Sequence, residues 1–418
     1  MPTEIDEATK AIVRATVPVL AEHGVTITTE MYKRLHANDE IRDLFNISHQ
    51  KDGGQPRALA LAVLCFAKHI DKLDLMGPMV ARIAEKHVGL NILPEHYPYV
   101  ATALLGAIAH VLGDAATPAI IDAWGKAYWF LAEILIGKEA DIYRSHVNSA
   151  GGWIGWRPFV VRSRHTEADQ VVSFVLAPQD GKEIPRHVAG QYLSFKLAIP
   201  GSGSQRRNYS ISSAEGGDTY RVSIRHHAHG VVSPWWHDHA VEGTVVLVAN
   251  PAGDFFLPAP AASACKEVAS SLVFLIAGTG ITPAVSMLET IAAEKRAVAG
   301  FHFIAVAKSE KKLPFAQEIR DFAAKKMITA DLFFTAPESD AEGAAAPESE
   351  GVKVHAGRPV DAWLTENAVE TAAQYYVCGP TEYMRDTIKT LLDAGVQKER
   401  VHYEFFGSAS DSTLALLE

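Results

Sequence analysis

The stretch NSAGGWIGWRP, residues 148–158, marks a change of texture, and what lies on either side of it decides the fold class. Its glycines and tryptophans suit a connector between folded units. Before it, residues 1–148 read as helix after helix, with Ala-rich amphipathic runs, loops punctuated by Gly or Pro, and no strand pattern. The clearest run is RALALAVLCFAKHIDKL (57–73), where Leu59, Val63, Phe66, Ile70 and Leu73 recur at spacings of three and four and share one helical face that must be buried. After the connector come short alternating segments: VVSFVLAP (171–178), QYLSFKLAI (191–199), YRVSIRHH (220–227) and TVVLVANP (244–251). They predict a small antiparallel β-barrel or sandwich. From about residue 270, SLVFLIAG, FHFIAVA, ADLFFTA and AAQYYVCG are near-continuous apolar runs alternating with helical stretches, as buried parallel strands should be. The fold class is therefore multidomain: all-α over 1–148, an antiparallel β-barrel over 152–262, and an α/β unit with a parallel sheet over 268–418. PESDAEGAAAPESEG (337–351) has no apolar period and predicts a mobile surface loop.

Bulk properties narrow the function. A chain of 418 residues has room for about three domains, each burying its own core. Lys plus Arg number 39 against 49 Asp plus Glu, and the net charge of -10 excludes a general attraction to nucleic acid or anionic membrane. A small-molecule partner is expected instead. MPTEIDEATK (1–10) is acidic and amphipathic, with no basic segment ahead of an apolar one, so no secretory signal is expected. No uninterrupted run of about 18 apolar residues occurs; the nearest, ALLGAIAHVLGDAATPAI, carries His110, Asp114 and Pro118. Cys65, Cys265 and Cys378 are too few and too scattered for a disulfide framework or a cysteine zinc site. These features predict a soluble cytoplasmic protein.

Two strand-to-helix junctions carry the nucleotide chemistry. LIAGTGITPAVSMLETI (275–291) is a strand, a glycine turn and a helix, which aims backbone amides where a diphosphate could sit. Gly278 and Gly280 fit the first two glycines of a dinucleotide fingerprint, but Pro283 stands at the third, so the motif alone also admits a structural turn. QYYVCGPTEYMRDTI (374–388) again ends a buried strand in Gly-Pro, with Cys378 at its tip. In the barrel, RRNYSISS (206–213) sends Arg207 and Tyr209 to one face and Ser210 to the other, and a cation beside an aromatic suits a planar, phosphate-bearing ligand. HGVVSPWWHDH (229–239) offers Ser233 as N-cap and Pro234 as first helical residue, leaving a positive helix end beside Gly230.

In this order the motifs resemble the ferredoxin-NADP reductase family over roughly residues 152–407. The resemblance implies that Tyr192, Arg207, Asn208, Tyr209 and Ser210, with Gly230, Val231, Val232 and Ser233, hold FAD. Arg207 and the Ser233 helix start would take its diphosphate, Tyr209 would lie on the isoalloxazine, and Ser210 would bond its reactive edge. Gly278, Thr279, Gly280, Ile281, Thr282 and Pro283, with Cys378, Gly379 and Pro380, would receive NAD(P)H. In YEFFG (403–407) Phe406 would shield the flavin, with Glu404, Phe405, Gly407 and Ser408 beside it. Without the resemblance, that segment reads as a C-terminal strand packing an aromatic into the core.

Within the helical part, AEKHVGLNILPEHYPYV (84–100) places His87 with Val80, Ile83 and Leu90 on the apolar face of a helix. On its own this reads as a core histidine bonded to backbone. His96, between Pro94 and Pro98, reads as an exposed polar residue. Together with FNISHQ (45–50) and DAWGKAYWFLAEILIGKEADIY (122–143), however, the segment resembles a bacterial flavohaemoglobin along the whole chain, a globin fused to a reductase. That resemblance implies haem b with His87 as its axial iron ligand, and Tyr97 and Glu139 as the pair behind it. A hydrogen bond taken from the imidazole's outer nitrogen raises its donation to iron and favours O₂ activation over storage. Tyr32 and Gln55 would offer hydrogen bonds to O₂. Phe45 would wedge the haem edge, Leu59 would crowd the ligand, and Lys86 and Glu404 would lie at the haem-flavin boundary.

The implied activity is nitric oxide dioxygenase, with NO, O₂ and NAD(P)H as partners, nitrosative-stress detoxification as the role, and a monomer without stable membrane association. A haem oxygen store or gas sensor, with a reductase that keeps iron ferrous, is the second reading; a flavin reductase acting on peroxides or a separate acceptor is the third. Some positions depart from the family. Phe405 stands where a cysteine is usual, Pro56 follows Gln55 directly, Trp129 is bulky enough to narrow the haem cavity, and SASDSTLALLE (408–418) runs long. IAVAKSEKK (304–312) favours neither NADH nor NADPH.

Overall fold

The structure, a computed structural model, describes residues 4–38, 41–44, 54–72, 76–257, 271–296, 298–336, 349–370 and 372–406, without the side chains of 43, 54 and 55. Phe45, Leu73, Cys265, Gly407, Ser408, the segment 337–348 and the side chain of Gln55 lie outside the described residues. The N-terminal part holds α1 (Glu7–Ala15), α2 (Val17–His36), α3 (Gly54–Lys68), α4 (Gly77–Gly89), α5 (Tyr97–Leu112) and α6 (Pro118–Asn148). Asp6 caps α1 by accepting the Thr9 amide at 2.7 Å, and Pro118 opens α6 behind the Thr117 cap. The stripe foreseen in 57–73 is inward, with Phe66 and Ile70 2% and 1% exposed. α2 packs against α3 and α5, and α4 against α6. The run from Pro94 to Ala115 is long and apolar enough to cross a membrane by length and composition, yet Ala103, Leu104, Ala107 and Ile108 pack into this core.

The connector turns sharply because it has no Cβ where the chain folds back. A Cβ on Gly152 would sit 1.9 Å from the His146 carbonyl oxygen at the end of α6. Next come β1 (Arg157–Ala168), β2 (Val171–Pro178), β3 (Tyr192–Ile199), β4 (Gly203–Ser210), β5 (Tyr220–Arg225), helix α7 (Val232–His239) and β6 (Val245–Val248). The sheet is antiparallel in the order β4-β3-β6-β1-β2-β5. A bridge between Ile211 and Val222 brings the end of β4 back to β5 and closes the barrel. Trp236 of α7 fills it, 4.9 Å from Phe174 and 5.1 Å from Phe195 between ring centroids.

The C-terminal part is β7 (Leu272–Ala277), α8 (Ile281–Glu294), β8 (Phe301–Ala307), α9 (Ala316–Ala324), β9 (Thr329–Phe334), β10 (Val352–Ala356), α10 (Asp361–Asn367), β11 (Gln374–Cys378), α11 (Thr381–Asp393) and β12 (Val401–Glu404). All its pairings are parallel, in the order β10-β9-β8-β7-β11-β12. Phe274, Phe303 and Tyr376 pack on one face of the sheet, and Val273, Leu275, Tyr375 and Val377 on the other. Sheets buried on both faces need unbroken apolar strands, which is why these were legible. The order departs in both directions from the β7/β11 pair, so the crevice at a topological switch point opens there, beyond the strands' carboxyl ends. β10 was not foreseen: VKVHA is a half-exposed edge strand with no apolar run to announce it.

Candidate functional site

α4 delivers His87 to a polar cluster inside an apolar shell. Ala84 and Val88 on the same helix are 0% and 2% exposed, whereas the His87 side chain keeps 32% of its surface open. Its Nδ1 lies 2.7 Å from Glu139 Oε1 and 3.2 Å from the Tyr97 hydroxyl, and Tyr97 donates to the same carboxylate oxygen at 2.6 Å. Tyr97 is the first residue of α5 and Glu139 lies deep in α6, so three helices converge on one oxygen. Burial, and then the Glu139 charge, raises the Tyr97 pKa well above its ordinary value, so its hydroxyl keeps its proton. A carboxylate only accepts, so His87 donates through Nδ1, and a neutral imidazole then carries its lone pair on Nε2. Nε2 makes no hydrogen bond among the described residues. That is the donor a haem iron takes from histidine, and the residues present fit it. The core-histidine reading with a backbone partner gives way, because both partners are side chains.

Two apolar clusters meet here. One contains Tyr32 and Leu59, the other Tyr97 and Leu135, and Val80, Tyr128 and Leu131 belong to both. Tyr32 is 7% exposed. Trp129 does not narrow this space. It is 39% exposed and lines an outer groove of about 610 Å³ with Ile5, Leu105 and Phe130. One residue along a helix turns the side chain by about 100°, so Tyr128 faces in and Trp129 faces out. Pro56 sits in the first turn of α3, where its missing N–H costs no helical bond, and its carbonyl accepts from Thr28 at 2.7 Å. His96 is half-buried rather than exposed: its Nδ1 accepts the Leu93 amide at 2.9 Å and caps the short turn Pro94–His96.

The barrel motifs come together around Trp236. The Tyr209 ring meets it edge-on at 6.3 Å between centroids, which places the Arg207–Ser210 strand beside the start of α7. That helix begins at Val232 with Val231 as its cap residue, not at Pro234 behind Ser233. The reason is that the Ser233 hydroxyl accepts the His227 amide at 3.0 Å and braces the preceding loop, so no side chain closes the helix end. Gly230 and Val231 are exposed just ahead of this helix start, while Val232 and Ser233 are buried, and a helix start of this kind fits a diphosphate. Ser210 pairs with Tyr192 across β3 and β4, and Asn208 accepts from Ser194 at 2.8 Å. Tyr192 is buried between Gly253 and α4, its hydroxyl donating to the Glu85 carbonyl at 3.4 Å. It thus stands at the boundary of the helical part and the barrel.

At the switch point the two glycine junctions touch. A Cβ on Gly280 would lie 2.3 Å from the Cys378 carbonyl oxygen and 2.9 Å from the Gly379 nitrogen. Gly278 has φ +57°, and Ile281, Thr282 and Pro283 are buried, so the backbone of Gly278 and Thr279 is what faces the crevice. Gly379 is partly buried and Pro380 exposed on the other side. The Cys378 thiol is enclosed and donates to the Glu404 carbonyl at 3.3 Å, and burial pushes its pKa up. Beyond β12, Phe405 packs into the core edge-on to Tyr403 at 5.4 Å, while Phe406 is 48% exposed. The C-terminal aromatic that fills the core is therefore Phe405, and Phe406 is left facing outward. Burial raises the Glu404 carboxyl to about 7, with Lys86 and Arg82 pulling it down and Asp254 pushing it up. Arg82, Asp254 and Tyr403 were not foreseen, because their contacts join segments far apart in the chain.

Comparison with known proteins agrees with this architecture. The globin family model matches residues 29–135, and that of the oxidoreductase NAD-binding domain matches 274–389. A flavohemoprotein from Xylella fastidiosa is 40% identical over 417 residues, covering 99% of this chain and 100% of its own. The flavohemoglobin of Malassezia yamatoensis, solved with bound FAD and heme, superimposes with a TM-score of 0.82 at 30% identity, covering 97% of this chain and 100% of that one. The FAD/NAD-binding domain of a nitric oxide dioxygenase from Vibrio cholerae superimposes with a TM-score of 0.51 at 31% identity, covering 60% of this chain and 98% of that one. With relatives matched end to end, and a globin core followed by an antiparallel barrel and a parallel α/β sheet, the chain belongs to the flavohemoprotein family.

Proposed function

We propose that this chain is a cytoplasmic, monomeric nitric oxide dioxygenase without stable membrane association. It would bind haem b at His87, FAD on the barrel and NAD(P)H at the switch-point crevice, and convert NO and O₂ to nitrate. The observation that carries the reading is the open Nε2 of His87, whose other nitrogen is held by Glu139 at 2.7 Å. When bound, haem would supply O₂ binding and its reaction with NO, and FAD would turn a hydride into single electrons. Glu139 holds the Nδ1 proton and so strengthens donation from Nε2, while Tyr97 orients the carboxylate through the shared oxygen. Tyr32 and Leu59, which share the neighbouring apolar cluster, would lie on the O₂ side of the haem. Gly278 and Thr279 offer backbone amides to the cofactor diphosphate, and the exposed Phe406 covers the flavin.

The deciding experiment follows NO loss, nitrate and NAD(P)H oxidation together under air. One nitrate per NO, with each hydride serving a pair of NO molecules, supports the enzyme; saturable gas binding without turnover overturns it in favour of a store or sensor. Tyr32→Phe removes one donor from the O₂ side. We expect a faster O₂ dissociation rate, by roughly 10- to 100-fold for one charge-assisted hydrogen bond, and slower NO turnover. Unchanged stopped-flow kinetics would take Tyr32 out of the mechanism. Glu139→Gln keeps the side chain's size but removes the charge behind the imidazole. The haem midpoint potential should rise by on the order of 50–100 mV, and a potentiometric titration identical to wild type would count against electron push through Nδ1.

A further inference from the structure

The helix that carries His87 is clamped on its far side by an arginine to which the proposed reaction gives no part. Arg82 precedes His87 by five residues, which sets the two side chains about 140° apart around α4 and roughly 7.5 Å apart along it. His87 faces α5 and α6; Arg82 faces the reductase. Its Nε donates to Asp254 Oδ2 at 3.3 Å and its Nη1 to the Tyr403 hydroxyl at 2.9 Å, with the guanidinium 4.6 Å from the Tyr403 ring centre. Asp254 follows the barrel strands and Tyr403 belongs to the last strand of the α/β sheet. One planar group on the haem helix thus bonds to both other domains. Lysine would do this less well, because its ammonium can donate to both partners but lacks the planar fork and the guanidinium's stacking face.

The rest of α4 meets the reductase midway, at Glu85, and at its other end. A Cβ on Gly89 would come within 3.1 Å of the Ser194 hydroxyl and 3.2 Å of the Tyr192 ring, and the Gly253 amide donates to Glu85 at 3.1 Å. Gly89 lies seven residues beyond Arg82, about 10 Å along the helix. Without the arginine, α4 keeps its holds at Glu85 and Gly89 and loses the outermost one; a tilt of about 10° about the Gly89 end moves the Arg82 end by nearly 2 Å and His87 by about 0.5 Å. Electron transfer falls with the separation of its donor and acceptor, so a small displacement of the helix that would hold the iron slows it.

We propose that Arg82 is a positioning residue, the second anchor that fixes the axial-histidine helix against the barrel and the α/β sheet at once, and so sets the path of electrons from flavin to haem. The inference rests on His87 as the iron ligand, and it needs no NO chemistry for its test.

In anaerobic stopped flow, the holoenzyme mixed with NADH reports flavin bleaching and the haem Soret change separately. Arg82→Ala should leave flavin reduction and ferricyanide reduction near wild type while slowing haem reduction by up to about tenfold. Arg82→Lys should recover only part of that loss. Tyr403→Phe keeps the ring but drops the hydrogen bond, so it should slow haem reduction several-fold, and it supplies the measurement if the alanine variant does not fold. In the cofactor-free protein, small-angle scattering should show a larger radius of gyration for Arg82→Ala. Haem reduction at the wild-type rate in either variant, or equal slowing of all three electron-transfer steps, would overturn the clamp. Electron delivery to haem without nitrate formation would instead overturn the dioxygenase reading and leave the clamp intact.

Discussion

His87→Ala is expected to yield a protein that keeps its flavin absorption and its NAD(P)H-to-ferricyanide activity but lacks the Soret band after incubation with hemin. NO conversion should fall by at least about 100-fold, since on the proposed assignment the lost imidazole would be the iron's donor and not merely its tuning. The fold should survive. The substitution leaves Glu139 Oε1 with Tyr97 as its remaining donor, and Oε2 already has no hydrogen-bond partner among the described residues. Loss of one charge-assisted bond at a buried carboxylate costs about 1–3 kcal/mol. The barrel and the α/β sheet, built on their own cores, do not contain His87. A full Soret band in the purified alanine variant would sink the assignment of the iron ligand.

The second large effect is expected from Gly280→Ala. Its new methyl would meet backbone, 2.3 Å from the Cys378 carbonyl oxygen, so no side chain can swing away and the two turns proposed to face the cofactor must part. Overpacking of this kind costs about 1–3 kcal/mol, which in a chain of this size lowers Tm by several degrees. The KM for NAD(P)H should rise at least roughly tenfold, because the diphosphate meets amides whose spacing has changed. Gly278→Ala makes the comparison sharp. Nothing lies within 4 Å of its Cβ, so only the left-handed backbone at φ +57° is strained, at about 1–2 kcal/mol. If steady-state kinetics ranked Gly278→Ala as the more harmful change, close contact between the turns would not be what matters at the crevice.

Both outcomes depend on features that the chain displays unequally. The parallel strands were readable from residues such as Leu272 to Ala277, all buried, because a sheet covered on both faces leaves no polar alternation. The inward stripe of α3 was readable for the same kind of reason, with Phe66 and Ile70 at helical spacing. Capping was less so: Ser233 followed by Pro234 spells a helix start, yet the hydroxyl turns back to the His227 amide and the helix begins earlier. Trp129 misled in a similar way, since bulk at a position says nothing about which side of α6 it takes once Tyr128 has taken the inner one.

Periodicity and motif order alone determined the three architectures and the glycine junctions proposed to face a nucleotide, because each follows from neighbours within a few residues along the chain. Periodicity left His87 a core histidine, and only the resemblance of the whole chain to a flavohaemoglobin made it the iron ligand to test. The tertiary structure decided which groups share an atom or a surface: Tyr97 and His87 on a single oxygen of Glu139, Gly280 against Cys378, and Arg82 between Asp254 and Tyr403. The physical reason is range. Backbone preference and apolar spacing act locally, whereas a hydrogen bond or a steric contact between residues far apart in the chain exists only after packing has brought them within about 3 Å.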